Sequence, residues 1–226
     1  MPRRRRPAET TRSEHWLRMA VNEKSQLLDA LVISKFKWTA PEKIQWLSPI
    51  REDAYAEYYD EEFLNRLQIS DLKVPLNEFW PKGGPPWDGL AKTKSGKILL
   101  VEAKAYAEEA VDYRSRAKGE SLKKIQRSLS EAKSAYRATE KASWEQPFYQ
   151  YANHLAHLFF LHKLNRLDAY LLFLYFADAP DVPTPTTVSE WKGSIRIIEK
   201  CLGLGKKHPF RNRVRTMIVS VPDMLQ

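Results

Sequence analysis

The sequence predicts an α/β fold of three layers, α-β-α, with helices on both faces of a central mixed sheet of about four or five strands. Three observations carry that expectation. Residues 86–93 and 97–106 flank Lys94-Ser95-Gly96, a three-residue loop with glycine where a bulged hairpin needs left-handed geometry, so they read as an antiparallel ribbon. Residues 168–177 are almost wholly apolar, as in a strand buried on both faces. A helix with Trp191, Ile195, Ile198 and Leu202 as its apolar row then separates that run from a strand at 214–221, and strand, crossover helix, strand implies a parallel pair.

The other elements follow in order. Residues 1–12 carry Arg3-Arg4-Arg5-Arg6 between Pro2 and Pro7 and read as a disordered basic arm ahead of a single domain at 13–226. The domain opens with a helical extension at 13–50. Over 13–33, Trp16, Leu17, Ala20, Val21, Leu27, Leu28 and Leu31 recur at three- and four-residue steps, a helix or a helix pair, before Ala40-Pro41 and Ser48-Pro49 punctuate the chain. A helix is expected at 52–67 on the row Tyr55, Tyr59, Phe63, Leu67, then a strand on Leu72, Val74 and Leu76 that Pro75 pushes to a sheet edge. A long helix at about 121–141 bears Leu122, Ile125, Leu129, Ala132 and Tyr136, and another starts at Pro147 and runs to about 164. Ser189 is the expected cap of the last helix and Gly203 its terminator.

Composition narrows the function classes. With 226 residues and 43% hydrophobic content, the chain can bury a core without disulfides. A formal charge of +9 favours polyanionic partners. No apolar stretch follows the arginines as an export signal requires, so export is not expected. The richest apolar runs, 155–161 and 169–177, fall short of the roughly 20 residues of a membrane span. A lone cysteine, Cys201, fits a reducing, cytoplasmic setting, and its expected role is a small buried hydrophobe.

The chemistry concentrates on the ribbon. In Ile98-Leu99-Leu100-Val101-Glu102-Ala103-Lys104 side chains alternate, so Glu102 and Lys104 project together from the face that carries Ile98 and Leu100. If Thr93 faces Lys97 across the loop, counting back along both strands sets Asp88 opposite Glu102, with Cβ atoms about 4.5–5.5 Å apart. Two such carboxylates repel unless a cation sits between them, and a hard divalent ion, Mg²⁺ or Mn²⁺, is the usual solution. That ion polarises a phosphoryl oxygen and lowers the pKa of water, while Lys104 orients the nucleophile or stabilises developing negative charge. The alternative is a plain salt bridge between Glu102 and Lys104 on a solvated strand face. Glu131-Ala132-Lys133 repeats the tripeptide within a helical pattern, where residues two apart diverge, so the letters alone decide nothing.

Pro85-Pro86-Trp87-Asp88 followed by Glu102-Ala103-Lys104 at the end of an apolar strand resembles the signature of PD-(D/E)XK nucleases. The order of elements over 52–221 is similar to that superfamily's restriction-endonuclease-like core. The resemblance implies a Mg²⁺-dependent (or Mn²⁺-dependent) nuclease acting on nucleic acid, DNA first. It also implies that Asp88, Glu102 and the Ala103 carbonyl ligate the metal and that Lys104 serves the nucleophile. A further glutamate from the preceding helix is Glu57, with Glu61 as the alternative. Trp87 departs from the motif by standing where its proline belongs.

Around this centre, Lys123, Lys124 and Arg127 offer phosphate contacts or simply form a wet helix face. Gln150 is a candidate contact to substrate or water, and His154 and His157 read as hydrogen-bonding or surface histidines. A homodimer is compatible with this chemistry. The rival readings are a non-catalytic nucleic-acid-binding protein on the same fold and a protein-protein interaction module.

Overall fold

The computed structural model describes residues 3–4, 11–39, 42–111 and 115–226, with residues 3–4 described as backbone alone. In chain order the strands are β1 (Arg3–Arg4), β2 (Ile44–Ser48), β3 (Glu57–Tyr58), β4 (Gly89–Thr93), β5 (Ile98–Lys104), β6 (Ala169–Ala177) and β7 (Val214–Ser220). Five of them form one open mixed sheet in the order β2-β4-β5-β6-β7, and β1 pairs with β3 in a separate ribbon. β2, β4 and β5 are antiparallel neighbours, whereas β5, β6 and β7 run parallel. The helices are α1 (Arg12–Asn22), α2 (Ser25–Phe36), α3 (Asp60–Arg66), α4 (Leu76–Phe79), α5 (Gly119–Ala135), α6 (Tyr149–Phe159), α7 (Val188–Cys201) and α8 (Val221–Leu225).

Strand alternation divides the interior into two cores. Ile98 and Leu100 of β5, with Leu171, Phe173 and Tyr175 of β6, pack against Ile125, Leu129, Leu155, Leu158 and Trp191 from α5, α6 and α7. Leu99, Val101 and Ala103, with Leu172, Leu174 and Phe176, meet Trp16, Leu17, Val21, Leu28 and Val32 from α1 and α2. The three layers are therefore present. The residues at 13–50 are no extension outside them, because α1 and α2 form one whole layer and β2 forms a sheet edge.

Several local expectations change. The β2 strand was not expected, because Ser48-Pro49 hid a five-residue run behind a turn signal. Residues 52–67 are not one helix: a 3₁₀ turn at Arg51–Asp53 and left-handed backbone at Ala54 and Tyr55 precede β3, and α3 begins only at Asp60. Leu72, Val74 and Leu76 lead into the short α4 instead of a strand. The long basic helix ends at Ala135, and the next begins at Tyr149 and closes in a π turn at Phe160–Leu164. Thr187, not Ser189, caps α7 through a capping box with Glu190, worth about 1 kcal/mol. Gly203 does follow that helix in left-handed geometry, against Thr139, where a Cβ would fall 2.7 Å from a backbone nitrogen. Cys201 is exposed, on the outer side of α7. The basic arm falls mostly outside the described residues, but Arg3–Arg4 lie along β3 and Arg12 already belongs to α1.

Candidate active site

The hairpin takes the predicted register. Thr93 N–H donates to the Lys97 carbonyl over 2.9 Å, Gly96 has φ +89°, and Gly89 pairs with Val101. One step further sets Asp88 against Glu102. An isolated antiparallel bridge joins Tyr58 to Trp87, so one step along that pairing sets Glu57 against Asp88. Asp88 thus stands between two glutamates delivered by different neighbours.

The loop before it is held from below. Both oxygens of Asp60 accept the backbone N–H groups of Gly83 and Gly84, at 2.9 and 2.8 Å, and Trp87 N–H donates to the Tyr58 carbonyl at 3.0 Å. Trp87 is fully buried, edge-on to His154 with centroids 4.7 Å apart. The tryptophan directly before Asp88 therefore packs behind the site, against His154.

Asp88 Oδ2 accepts the Ala103 N–H at 2.8 Å. In an extended residue N–H and C=O point to the same strand edge, so the Ala103 carbonyl also faces the Asp88 side. Lys104 Nζ donates to Glu102 Oε1 at 2.5 Å, and His154 Nε2 from α6 lies 3.0 Å from Glu102 Oε2. That last approach is within ion-pair distance, and both atoms are buried with no other polar partner among the described residues. His154 Nδ1 meets the Gln150 carbonyl at 2.5 Å. Gln150 thus enters the site through its backbone.

Electrostatics sort the carboxylates. Burial, then Glu102, then Glu57 push the Asp88 carboxyl well above its ordinary range, against Lys104 and the Ala103 amide. Burial would raise Glu102 too, but Lys104 and then His154 overcome it and hold that group at about 2. Burial works against the charged Lys104 ammonium, yet Glu102 and Asp88 win and raise its pKa. Glu57 and Glu102 are each 3% exposed, while Asp88 is half-buried and the Lys104 side chain is 16% exposed, so access from solvent runs past the aspartate and the lysine.

Glu57 reaches this cluster from a strand instead of the expected helix, and Glu61 is exposed on α3 beside Tyr59 and Lys82, away from the cluster. On the basic helix Lys123 and Arg127 are exposed and Lys124 is half-buried, and each already has a partner within the chain. Lys124 and Arg127 donate to the carbonyls of Asn77 and Glu78, at 2.7 and 2.8 Å, and Lys123 pairs with Glu120. His157 is a core residue: burial holds its imidazole at about 3, among Trp80, Trp87 and Phe63. The residues that sequence reasoning missed are His154 as the partner of Glu102 and Glu109, whose Oε2 accepts the Ala105 N–H at 2.6 Å and whose charge supports Lys104. For His154 the signal was available, in the polar group of Gln150, Asn153, His154 and His157 beside the apolar row of that helix.

Among the described residues, no three His, Cys, Asp or Glu side chains converge in a geometry that holds a metal ion by themselves. The Asp88 and Glu102 pair nevertheless suits a hard cation. Glu102 Oε2 is a buried anionic oxygen whose one polar neighbour among the described residues is His154 Nε2, and the carboxylate form of Asp88 is destabilised by burial and by the two glutamates beside it.

Fold and site together define a mixed α/β protein with a buried carboxylate-lysine cluster at the C-terminal end of its central strand. No family model, curated protein or solved structure matches the chain. Among the described residues, no helix is long and apolar enough to cross a membrane.

Proposed function

We propose that the protein is a divalent-metal-dependent nuclease of the PD-(D/E)XK kind, acting on DNA in the cytoplasm. The observation that carries this reading is the Asp88 carboxyl beside Glu102, one step past the Gly89–Val101 pair of the ribbon, with Lys104 donating to Glu102 from the same face. Asp88, Glu102 and the Ala103 carbonyl would hold Mg²⁺ or Mn²⁺, with Glu57 behind Asp88. Bound there, the ion supplies Lewis acidity toward a phosphoryl oxygen and lowers the pKa of water.

The chain's own residues do the rest. Lys104 stays charged next to Glu102 and presents an ammonium where negative charge develops during phosphodiester hydrolysis. His154, packed edge-on against the buried Trp87, lies behind the Glu102 carboxylate. The Ala103 amide orients Asp88. A plain salt bridge would pair Glu102 with Lys104 and stop there. It does not account for Asp88 and Glu57 packed into the same charge cluster.

The test is incubation of the purified protein with linear, circular and single-stranded DNA, with and without Mn²⁺, beside Asp88→Asn and Lys104→Ala. The reading expects metal-stimulated cleavage by the wild type and its loss in both variants. Cleavage that persists in Asp88→Asn, or no cleavage of any substrate by the wild type, overturns it.

A further inference from the structure

The opposite end of the sheet carries a second polar concavity. The starts of β5 and β6, the approach to β7 and the end of α2 enclose about 570 Å³ there, and Arg215 separates it from a neighbouring hollow of about 270 Å³. Lys97 lies seven residues before Lys104, so at about 3.3 Å per residue this end is roughly 20 Å from the carboxylates.

Among the described residues its charge is only partly neutralised, with Glu199 as the one carboxylate that lines either hollow. Lys97 pairs with Glu42 and Arg213 with Asp168. Lys35, Lys37, Arg211 and Arg215 have no carboxylate within ion-pair distance among the described residues. Among the described residues, the Arg215 guanidinium donates only to the carbonyls of Lys35, Arg211 and Val214. The crowding bears on the neighbouring groups: burial and then Arg215 lower the pKa of Lys35, and burial and then Arg215 and Arg211 lower that of His208. Like charges held together cost free energy that an anion would offset. Trp38 and His208, which line these hollows, each keep a buried ring nitrogen, Nε1 and Nδ1, without a hydrogen-bond partner among the described residues.

The aromatic walls argue against base stacking. Trp38 is stacked on Phe36 at 5.0 Å and met edge-on by Tyr170, and only 8% of its surface is exposed. A membrane surface fits poorly as well, because none of the exposed large apolar residues, Leu27, Val111, Ile197 and Leu225, lines either hollow.

We infer that this end of the sheet is a second binding surface, which takes the phosphodiester backbone of a nucleic-acid strand on Arg215, Lys37, Lys35 and Arg211. It reads phosphate and not base, and it needs neither the carboxylate cluster nor a divalent ion. Binding is therefore measured in EDTA, where cleavage cannot intervene, by fluorescence anisotropy of a labelled single-stranded oligonucleotide against the full chain. Lys37→Glu, at an exposed position, and Arg215→Gln are compared with the wild type, with melting curves to verify folding. The double variant is expected to bind about tenfold more weakly, whatever the sequence. Each lost cation should also make the slope of log affinity against log salt shallower by about 1. Unchanged affinity and slope in folded Lys37→Glu and in the double variant overturn the assignment. So does loss of binding to phosphatidylserine vesicles with oligonucleotide affinity intact, or competition by inorganic phosphate at the same phosphate concentration as the oligonucleotide.

Discussion

Asp88→Asn preserves the shape of the side chain and an oxygen for the Ala103 amide, and removes only the charge that burial, Glu102 and Glu57 oppose. A carboxyl held above its ordinary range in the fold detracts from stability once the pH exceeds the unfolded value of about 3.9, so the metal-free variant should melt above the wild type at neutral pH. A divalent cation should reverse the order. A ligand of the folded state present at a hundred times its dissociation constant adds about 2.7 kcal/mol. For a chain of 226 residues each kcal/mol moves the melting midpoint by about 2–4 °C, so the wild type should gain about 5–10 °C and the variant far less. Scanning calorimetry in EDTA and then in Mn²⁺ reads both numbers. The reasoning fails if the variant melts lower in EDTA, or if metal raises both proteins equally.

Two further outcomes follow from the same cluster. His154→Ala leaves the buried Glu102 oxygen facing a void and should cost about 1–3 kcal/mol in urea unfolding, with His154→Gln recovering part of it; an unchanged midpoint for the alanine variant contradicts the contact. Glu102 is held at about 2 against an ordinary 4.5, so its contribution to stability is complete above pH 4.5 and fades as the pH falls toward 2. Asp88 has the opposite sign and offsets part of this in the wild type. In Asp88→Asn the fall in melting temperature between pH 4.5 and 2 should therefore be steeper, and an equal or shallower fall contradicts the pairing.

The parts of this arrangement legible in the sequence were those fixed by short-range geometry. A three-residue loop with glycine in the right place determines the register of everything on either side, which is why counting from Thr93 and Lys97 reached Asp88 and Glu102. The apolar run of β6 and the helix between it and β7 likewise carry their own topology. What the sequence did not show was set by contacts distant along the chain. Glu57 sits on a two-residue strand whose pairing with Trp87 has no periodicity to betray it, so its neighbourhood was read as helix from the tyrosine row. His154 lies about fifty positions from Glu102 and meets it only because α6 crosses that face of the sheet. α1 and α2 have apolar rows that fit a helix pair anywhere, and only packing against Val101, Leu172 and Phe176 makes them a layer of the fold.

Crystals soaked in Mn²⁺ and measured at the manganese absorption edge give the most direct view of whether the two acidic groups share an ion. An anomalous peak about 2.0–2.6 Å from oxygens of both Asp88 and Glu102 is the predicted result. A fully substituted crystal with no peak there, or with manganese bound only at other carboxylates, would contradict it.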